Sequence, residues 1–211
     1  MLKITNVSRY KGMTCMIEFE DRDTEFLNQE IVSRYNLKAG MSLPLSAWED
    51  IKADEEYRKA RERALYLLDY RDYSYVELFH KLEKNYSEDT CYRVMDKMVE
   101  MGTINDRRYA EGLARHYVEV KHFGSRRAYQ EMRGKGLTGE VIKLALQVYD
   151  EDEETTWYDR LYELVEKKYL RYLEDEKGIN RVKNALVRYG YSYDLIKEVL
   201  RDIGEEYGEE D

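Results

Sequence analysis

The chain has 211 residues, 43% of them hydrophobic and 37% charged, with a mean hydropathy of -0.80. That length suits one large domain, two small ones, or several stacked units sharing a core; the charged fraction implies more solvated surface than a compact globule needs, so an elongated body is expected. A formal net charge of -9 excludes a protein that coats DNA by phosphate neutralisation alone, and no apolar run approaches the roughly 18 residues that span a bilayer.

Residues 1–17 carry neither a basic start followed by an apolar stretch nor a small-residue cleavage site, so a cytoplasmic protein with no membrane partner is expected. Within residues 1–53, "LKITNVSRY" and "CMIEFED" alternate apolar and polar positions around the turn-like "KG". This predicts a small strand-rich segment with Ile4, Val7, Met16, Ile17 and Phe19 facing inward. Pro44 closes that segment, and Ser46 is the expected cap of the helical region that follows.

From Asp54 the periodicity becomes 3.6. The segment "DEEYRKARERALYLLDY" places Tyr57, Ala60, Ala64, Leu65 and Leu68 on one stripe, with its acids at the end that a helix dipole favours. A break at Arg71 to Tyr73 precedes Ser74 and Glu77, which have capping-box spacing, with Leu78 and Leu82 one turn apart. Ser87 is placed to cap a third helix with Cys91, Val94, Met95 and Met98 on its apolar face. Cys15 and Cys91 have no metal-ligand spacing and are expected to be reduced core residues.

The three-helix order then recurs over residues 105–149 and 150–211. Residues 123–146 overlay residues 177–200 without a gap: Gly124 falls on Gly178, Ala128 on Val182, Met132 on Leu186, Gly136 on Gly190, Thr138 on Ser192, Ile142 on Ile196 and Leu146 on Leu200. Ser87, Thr138 and Ser192 take the same cap position, and Gly136 and Gly190 suit left-handed helix ends. The pattern predicts an all-α protein of three tandem three-helix repeats behind the N-terminal cap: 54–104, 105–149 and 150–211, the last with an acidic tail. In the third repeat the middle helix is expected from Asn180 to Arg188.

Charge is unevenly placed. Residues 105–149 carry nine Lys and Arg against five acids, a net of +4, whereas residues 150–211 carry ten against nineteen, a net of -9. Arg126, Gln130 and Arg133 share a helical face with Lys135 at its end, where guanidinium groups suit phosphate or carboxylate ligands. With Arg115 and Lys121 they form the candidate partner- or DNA-binding set Arg126, Arg127, Arg133, Lys135, Arg115 and Lys121. Arg108, Glu111, Arg115 and Glu119 alternate in sign along one stripe and are expected to pair with one another. "RKARER" at residues 58–63 reads as a charged outer face. Tyr109, Tyr149 and Tyr191 are expected at the rim of the core, rings buried and hydroxyls outward. His80, His116 and His122 have no nucleophile or ligand motif beside them, so neither catalysis, metal nor cofactor is expected.

"ALYLLDYRDYSYVELFHKLEKNY", "MVEMGTINDRRYAEGLARHYVEVKHFGSRRAYQEMRGKGL" and "LVRYGYSYDLIKEVL" resemble the three tandem segments of the bacterial regulatory protein RecX family, over about Tyr57 to Ile203. The most specific stretch is Tyr109 to Leu137, with its "G-x-R-R" at Gly124 to Arg127 and its "KGL" at Lys135 to Leu137. "TIND", Ser125 and "KNY" at Lys84 to Tyr86 depart from the family pattern at surface or cap positions. The resemblance implies a non-enzymatic, monomeric modulator of the RecA recombinase that lies along its filament on single-stranded DNA and restrains its activity, with DNA contacted indirectly or weakly. The alternative is a helical-repeat scaffold, or a weak nucleic-acid-binding module, with an unrelated protein partner.

Overall fold

A computed structural model describes residues 1–208; residues 209–211, the end of the acidic tail, lie outside the described residues. The chain forms two bodies, one of residues 1–71 and 78–103, the other of residues 72–77 and 104–211.

The first body opens with β1 (Leu2–Lys11), β2 (Thr14–Phe19), β3 (Glu25–Asn28), α1 (Gln29–Arg34) and β4 (Ser42–Leu43). The strands make an antiparallel sheet of order β3-β2-β1-β4, and the β1–β2 turn places Gly12 at φ 56. Period-2 alternation buries Cys15, Ile17 and Phe19 with Ile4. Met16, expected inward, lies on the opposite side of that alternation and is only half-buried. Leu27, Ile31, Leu37 and Leu43 complete this core with Trp48 and Ile51 of the next helix, and the Phe19 and Trp48 rings meet edge to face at 4.8 Å.

That helix, α2 (Leu45–Tyr70), starts one residue before the expected cap. Pro44, with its ring-fixed φ of -66 and an extended ψ of 154, supplies the turn into the helix, so Ser46 falls inside the first turn. Consequently Asp54, Glu55 and Glu56 sit in mid-helix and not at a dipole end. They serve tertiary contacts instead. Asp54 accepts from Tyr35 Oη at 2.8 Å and from Arg34 and Arg93 at 3.2 Å each. Glu55 holds Arg58 through both carboxylate oxygens at 3.0 Å and accepts from the Asn28 N–H at 3.2 Å. Glu56 accepts from Ser87 Oγ at 2.6 Å and Thr90 Oγ1 at 2.7 Å. Ser87, at the head of α4 (Glu88–Glu100), therefore gives its hydroxyl to Glu56 and makes no cap bond of its own.

Helix α3 (Tyr75–Leu82) precedes α4, and α2 packs on α4. Ala60, Ala64, Leu67, Leu78, Leu82, Cys91, Val94, Met95 and Met98 are buried here. Both cysteines are free and buried. Burial first, with the surrounding carboxylates Glu56, Glu83 and Glu88, pushes the Cys91 thiol up.

The second body holds α5 (Asp106–Arg115), α6 (Ser125–Gly134), α7 (Gly139–Asp150), α8 (Trp157–Tyr169), α9 (Glu176–Tyr189) and α10 (Tyr193–Gly208). One core gathers Ala110, Ala114, Ala128, Met132, Ile142 and Leu146; a second gathers Leu161, Val165, Val182, Leu186, Ile196 and Val199. Each core belongs to one three-helix repeat. The fold is thus helical, with three three-helix repeats and a small N-terminal strand cap.

Two local departures have clear causes. After α5 the chain makes a π-helical turn over His116–Val120, with the Lys121 N–H donating to His116 O at 3.0 Å. The wider turn shifts the helical register, so Glu119 accepts from Tyr149 Oη at 2.9 Å, and Arg107, not Arg108, pairs with Glu111 at 3.3 Å. In the third repeat Asp175 caps α9 by accepting from the Gly178 N–H at 2.5 Å, which starts that helix four residues before Asn180.

Candidate functional site

The site is built around α6, whose exposed face carries Arg126, Gln130 and Arg133. Its two ends are fixed by glycine joints within the second body. At the first joint Gly124 caps α6 and its N–H donates to Tyr189 O at 2.8 Å. A Cβ on Gly124 would lie 2.7 Å from the backbone of Gly190; one on Gly190 would lie 2.4 Å from the Arg127 nitrogen. Gly190 ends α9 at φ 93, a conformation that only glycine adopts without strain.

The second joint repeats the first at the other end of α6. Ser74 Oγ donates to Lys135 O at 2.5 Å and accepts from the Glu77 N–H at 3.0 Å; Gly136 stands at φ 79, where a Cβ would lie 2.7 Å from Val76 Cβ. Lys135 and Gly136 overlay Tyr189 and Gly190 in sequence. In both joints the residue that caps one middle helix reaches the carbonyl at the end of the next. The Ser74 to Glu77 capping box thus does two things: it starts α3 and it receives the following repeat.

These joints engage part of the candidate basic set. Arg127 Nη1 donates to Arg188 O at 3.0 Å, its guanidinium lies 4.0 Å from the Phe123 ring centre, and Nε faces Glu131 at 3.4 Å. Lys135 Nζ reaches Glu77 at 3.4 Å, beside the Tyr109 hydroxyl at 3.1 Å from the same carboxylate. Arg133 Nη1 donates to Leu137 O at 2.8 Å, closing the end of α6 as a cationic cap. Arg126 is exposed and has no such tie. Arg115 and Lys121 are also exposed, but lie at the end of α5 and after the π-helical turn, on different elements from the α6 pair.

What the sequence reading missed is the surface that Arg126 faces. An open cleft of roughly 680 Å³ is lined by Arg126, Tyr129, Lys143, Leu146, Trp157 and Leu195, among others. Tyr129 and Lys143 come from α6 and α7, Trp157 from the first turn of α8 and Leu195 from α10. Gly139 leaves room for the Tyr129 hydroxyl, since a Cβ there would stand 2.8 Å from it. Asp150 also borders the cleft, but accepts from Trp157 Nε1 at 2.8 Å. The periodicity of Trp157 and Tyr129 marks them only as partly apolar; no local signal places residues 31 positions or more from Arg126 beside it.

The tyrosines behave as rim residues. Tyr149 and Tyr191 are buried, with their hydroxyls on Glu119 and on His122 O. Burial, then the Glu119 carboxylate, pushes the Tyr149 hydroxyl up to about 12, and burial alone raises Tyr191 strongly. These groups stay protonated at neutral pH and act as donors. Among the described residues no cluster of His, Cys, Asp and Glu has the arrangement of a metal site, and no helix is long and apolar enough to cross a membrane.

Comparison with known proteins places this geometry. Sequence profiles described as the first, second and third three-helix domains of RecX match residues 60–98, 105–146 and 154–200. The chain is 30% identical over 177 residues to the regulatory protein RecX of Clostridioides difficile (strain 630), covering 83% of this chain and 82% of that one. It is 24% identical to the same-named protein of Enterococcus faecalis (strain ATCC 700802 / V583) over 100% of this chain and 79% of that protein. A crystal structure of regulatory protein RecX superposes with a TM-score of 0.71 at 19% identity, covering 96% of this chain and all of that one. The crystal structure of RecX from Lactobacillus salivarius superposes with a TM-score of 0.63 at 25% identity, covering 71% and 97%.

Proposed function

Because the chain belongs to the RecX family, we propose that it regulates the RecA recombinase by binding the RecA nucleoprotein filament and restraining its ATP hydrolysis and strand exchange. The observation that carries this reading is the family match in all three repeats, the middle one of which bears the net +4 charge. No step of chemistry is needed: occupancy of the filament suffices.

In this reading the contact set is Arg126, Arg133, Arg115 and Lys121, which face solvent, with Arg127 and Lys135 holding the joints that orient α6 as well as adding to its charge. The partner surface is anionic, whether filament carboxylates or DNA phosphates. The protein works in the cytoplasm as a monomer.

Co-sedimentation with RecA assembled on single-stranded DNA tests the reading. Retention on the filament with falling ATP hydrolysis supports it; folded protein that stays in the supernatant refutes it. Reversing Arg126 and Arg133 to Glu should weaken filament binding by roughly 1–3 kcal/mol for each charged hydrogen bond removed. The pair Arg181→Glu and Lys183→Glu in the third repeat should cost less. Tight, salt-steep binding to DNA alone would instead favour an independent nucleic-acid-binding module.

A further inference from the structure

The cleft beside α6 combines an apolar floor with unengaged cations. Leu146 and Leu195 lie at its base, and Tyr129, Trp157 and Tyr191 form its walls. Arg126 and Lys143 are both exposed on its border, and neither makes a hydrogen bond or ion pair with any described residue. The bordering carboxylate of Asp150 is engaged by the Trp157 indole. The net charge offered to a ligand is therefore positive, above a surface that takes apolar groups. We propose that this cleft receives a protein segment that inserts one apolar or aromatic side chain between Tyr129, Trp157 and Leu195 and places flanking carboxylates on Arg126 and Lys143.

Two observations favour such a segment over a nucleic-acid strand. The aromatic walls do not form a stacking slot: Trp157 meets Tyr191 at 78° and Tyr149 at 46°, whereas a base requires a ring face parallel to its own. One side of the cleft is also built from the third repeat, whose net charge is -9 over residues 150–211. A strand leaving the cleft carries a phosphate at every nucleotide into that field, while a peptide confines its carboxylates to the two cations. The volume of roughly 680 Å³ lies in the range of sites that enclose a few side chains. A central apolar anchor with charged flanks is how compact peptide sites obtain affinity and orientation.

The inference rests on the partner-binding role proposed for the second repeat and names its contact; the test separates the two. Trp157 borders the cleft, whereas the other tryptophan, Trp48, is fully buried in the core of the first body, so ligand-dependent emission reports the cleft. The probes are a synthetic peptide with one phenylalanine among four glutamates, its lysine counterpart, and a short oligothymidylate. The acidic peptide should change the emission and the lysine peptide should not. The double variant R126E/K143E should weaken acidic-peptide binding roughly tenfold, with melting temperature unchanged. In co-sedimentation it should weaken filament binding more than R115E/K121E, which makes the same charge change away from the cleft.

Response to the oligothymidylate and not to the peptide overturns the proposal in favour of a nucleic-acid site. Equal filament losses from the two double variants, or none from R126E/K143E while the wild type binds, overturn it and leave the regulator reading intact. A peptide response with no filament binding by the wild type supports the cleft and removes the regulator reading.

Discussion

Substituting Gly190 by alanine tests the joint that orients the second and third repeats. Three costs add. Holding a residue with a Cβ in the left-handed conformation at φ 93 costs about 1–2 kcal/mol. The new methyl would stand 2.4 Å from the Arg127 nitrogen and 2.5 Å from its Cβ, and because the first is backbone the helix itself must shift, at about 1–3 kcal/mol. That shift strains the Gly124 N–H bond to Tyr189 O and the Arg127 bond to Arg188 O, each worth about 1 kcal/mol. Reduced freedom of the unfolded chain returns about 0.4–1 kcal/mol. The expected net loss is roughly 3–5 kcal/mol, a fall in melting temperature of about 10 °C for a chain this size. Controls come from Gly112 in α5 and Gly204 in α10, where a Cβ would meet nothing within 4 Å. Alanine at either should stabilise by about 0.5–1 kcal/mol through helix propensity. Denaturant titration followed by circular dichroism, with hydrogen exchange across α6 and α9, distinguishes these outcomes. A Gly190→Ala protein within a degree or two of the wild type, or a Gly112→Ala protein that loses as much, would refute the joint as described.

Arg126→Glu and Arg127→Glu should part company in a thermal melt. The first should be close to neutral, whereas the second loses a charged hydrogen bond to a carbonyl and a ring contact at 4.0 Å, together about 2–3 kcal/mol. Ser74→Ala should cost about 2 kcal/mol, because one buried hydroxyl both caps α3 and satisfies Lys135 O; Ser74→Thr should recover part of it if the hydroxyl and not the volume matters. Stability of the first body should fall in acid. Burial opposes ionisation of Asp54, Glu55 and Glu56, but Tyr35 and Arg93 at the first, Arg58 at the second and Ser87 and Thr90 at the third hold all three below the usual carboxylate range. Folded-state pKa values below the unfolded ones mean stability present above about pH 4.5 and lost as pH drops through the folded values. Asp106 in the second body is raised, chiefly by burial, and so opposes this trend there. Hydrogen exchange between pH 6 and pH 3 should show α2 and α4 loosening before α5; the reverse order would count against this assignment.

The repeat architecture was legible because it is written in local terms. Ala128, Met132, Ile142, Val182, Leu186 and Ile196 recur at helical spacing and are all buried; Gly136 and Gly190 are left-handed as expected; the Ser74 capping box forms. Apolar period, cap chemistry and glycine conformation depend on a few neighbouring residues, so sequence alone determines them. Tertiary contacts decided the rest. Asp54, Glu55 and Glu56 look like a helix start, but α2 begins at Leu45 and the three acids bind groups on α1, at the end of β3 and on α4. Arg126 and Arg127 are adjacent and alike in sequence, yet one faces the cleft and the other is bound to a carbonyl 61 residues away. Nothing in the local pattern separates them, because a charged side chain takes its role from whichever acceptor or ring the folded chain brings within about 4 Å of it.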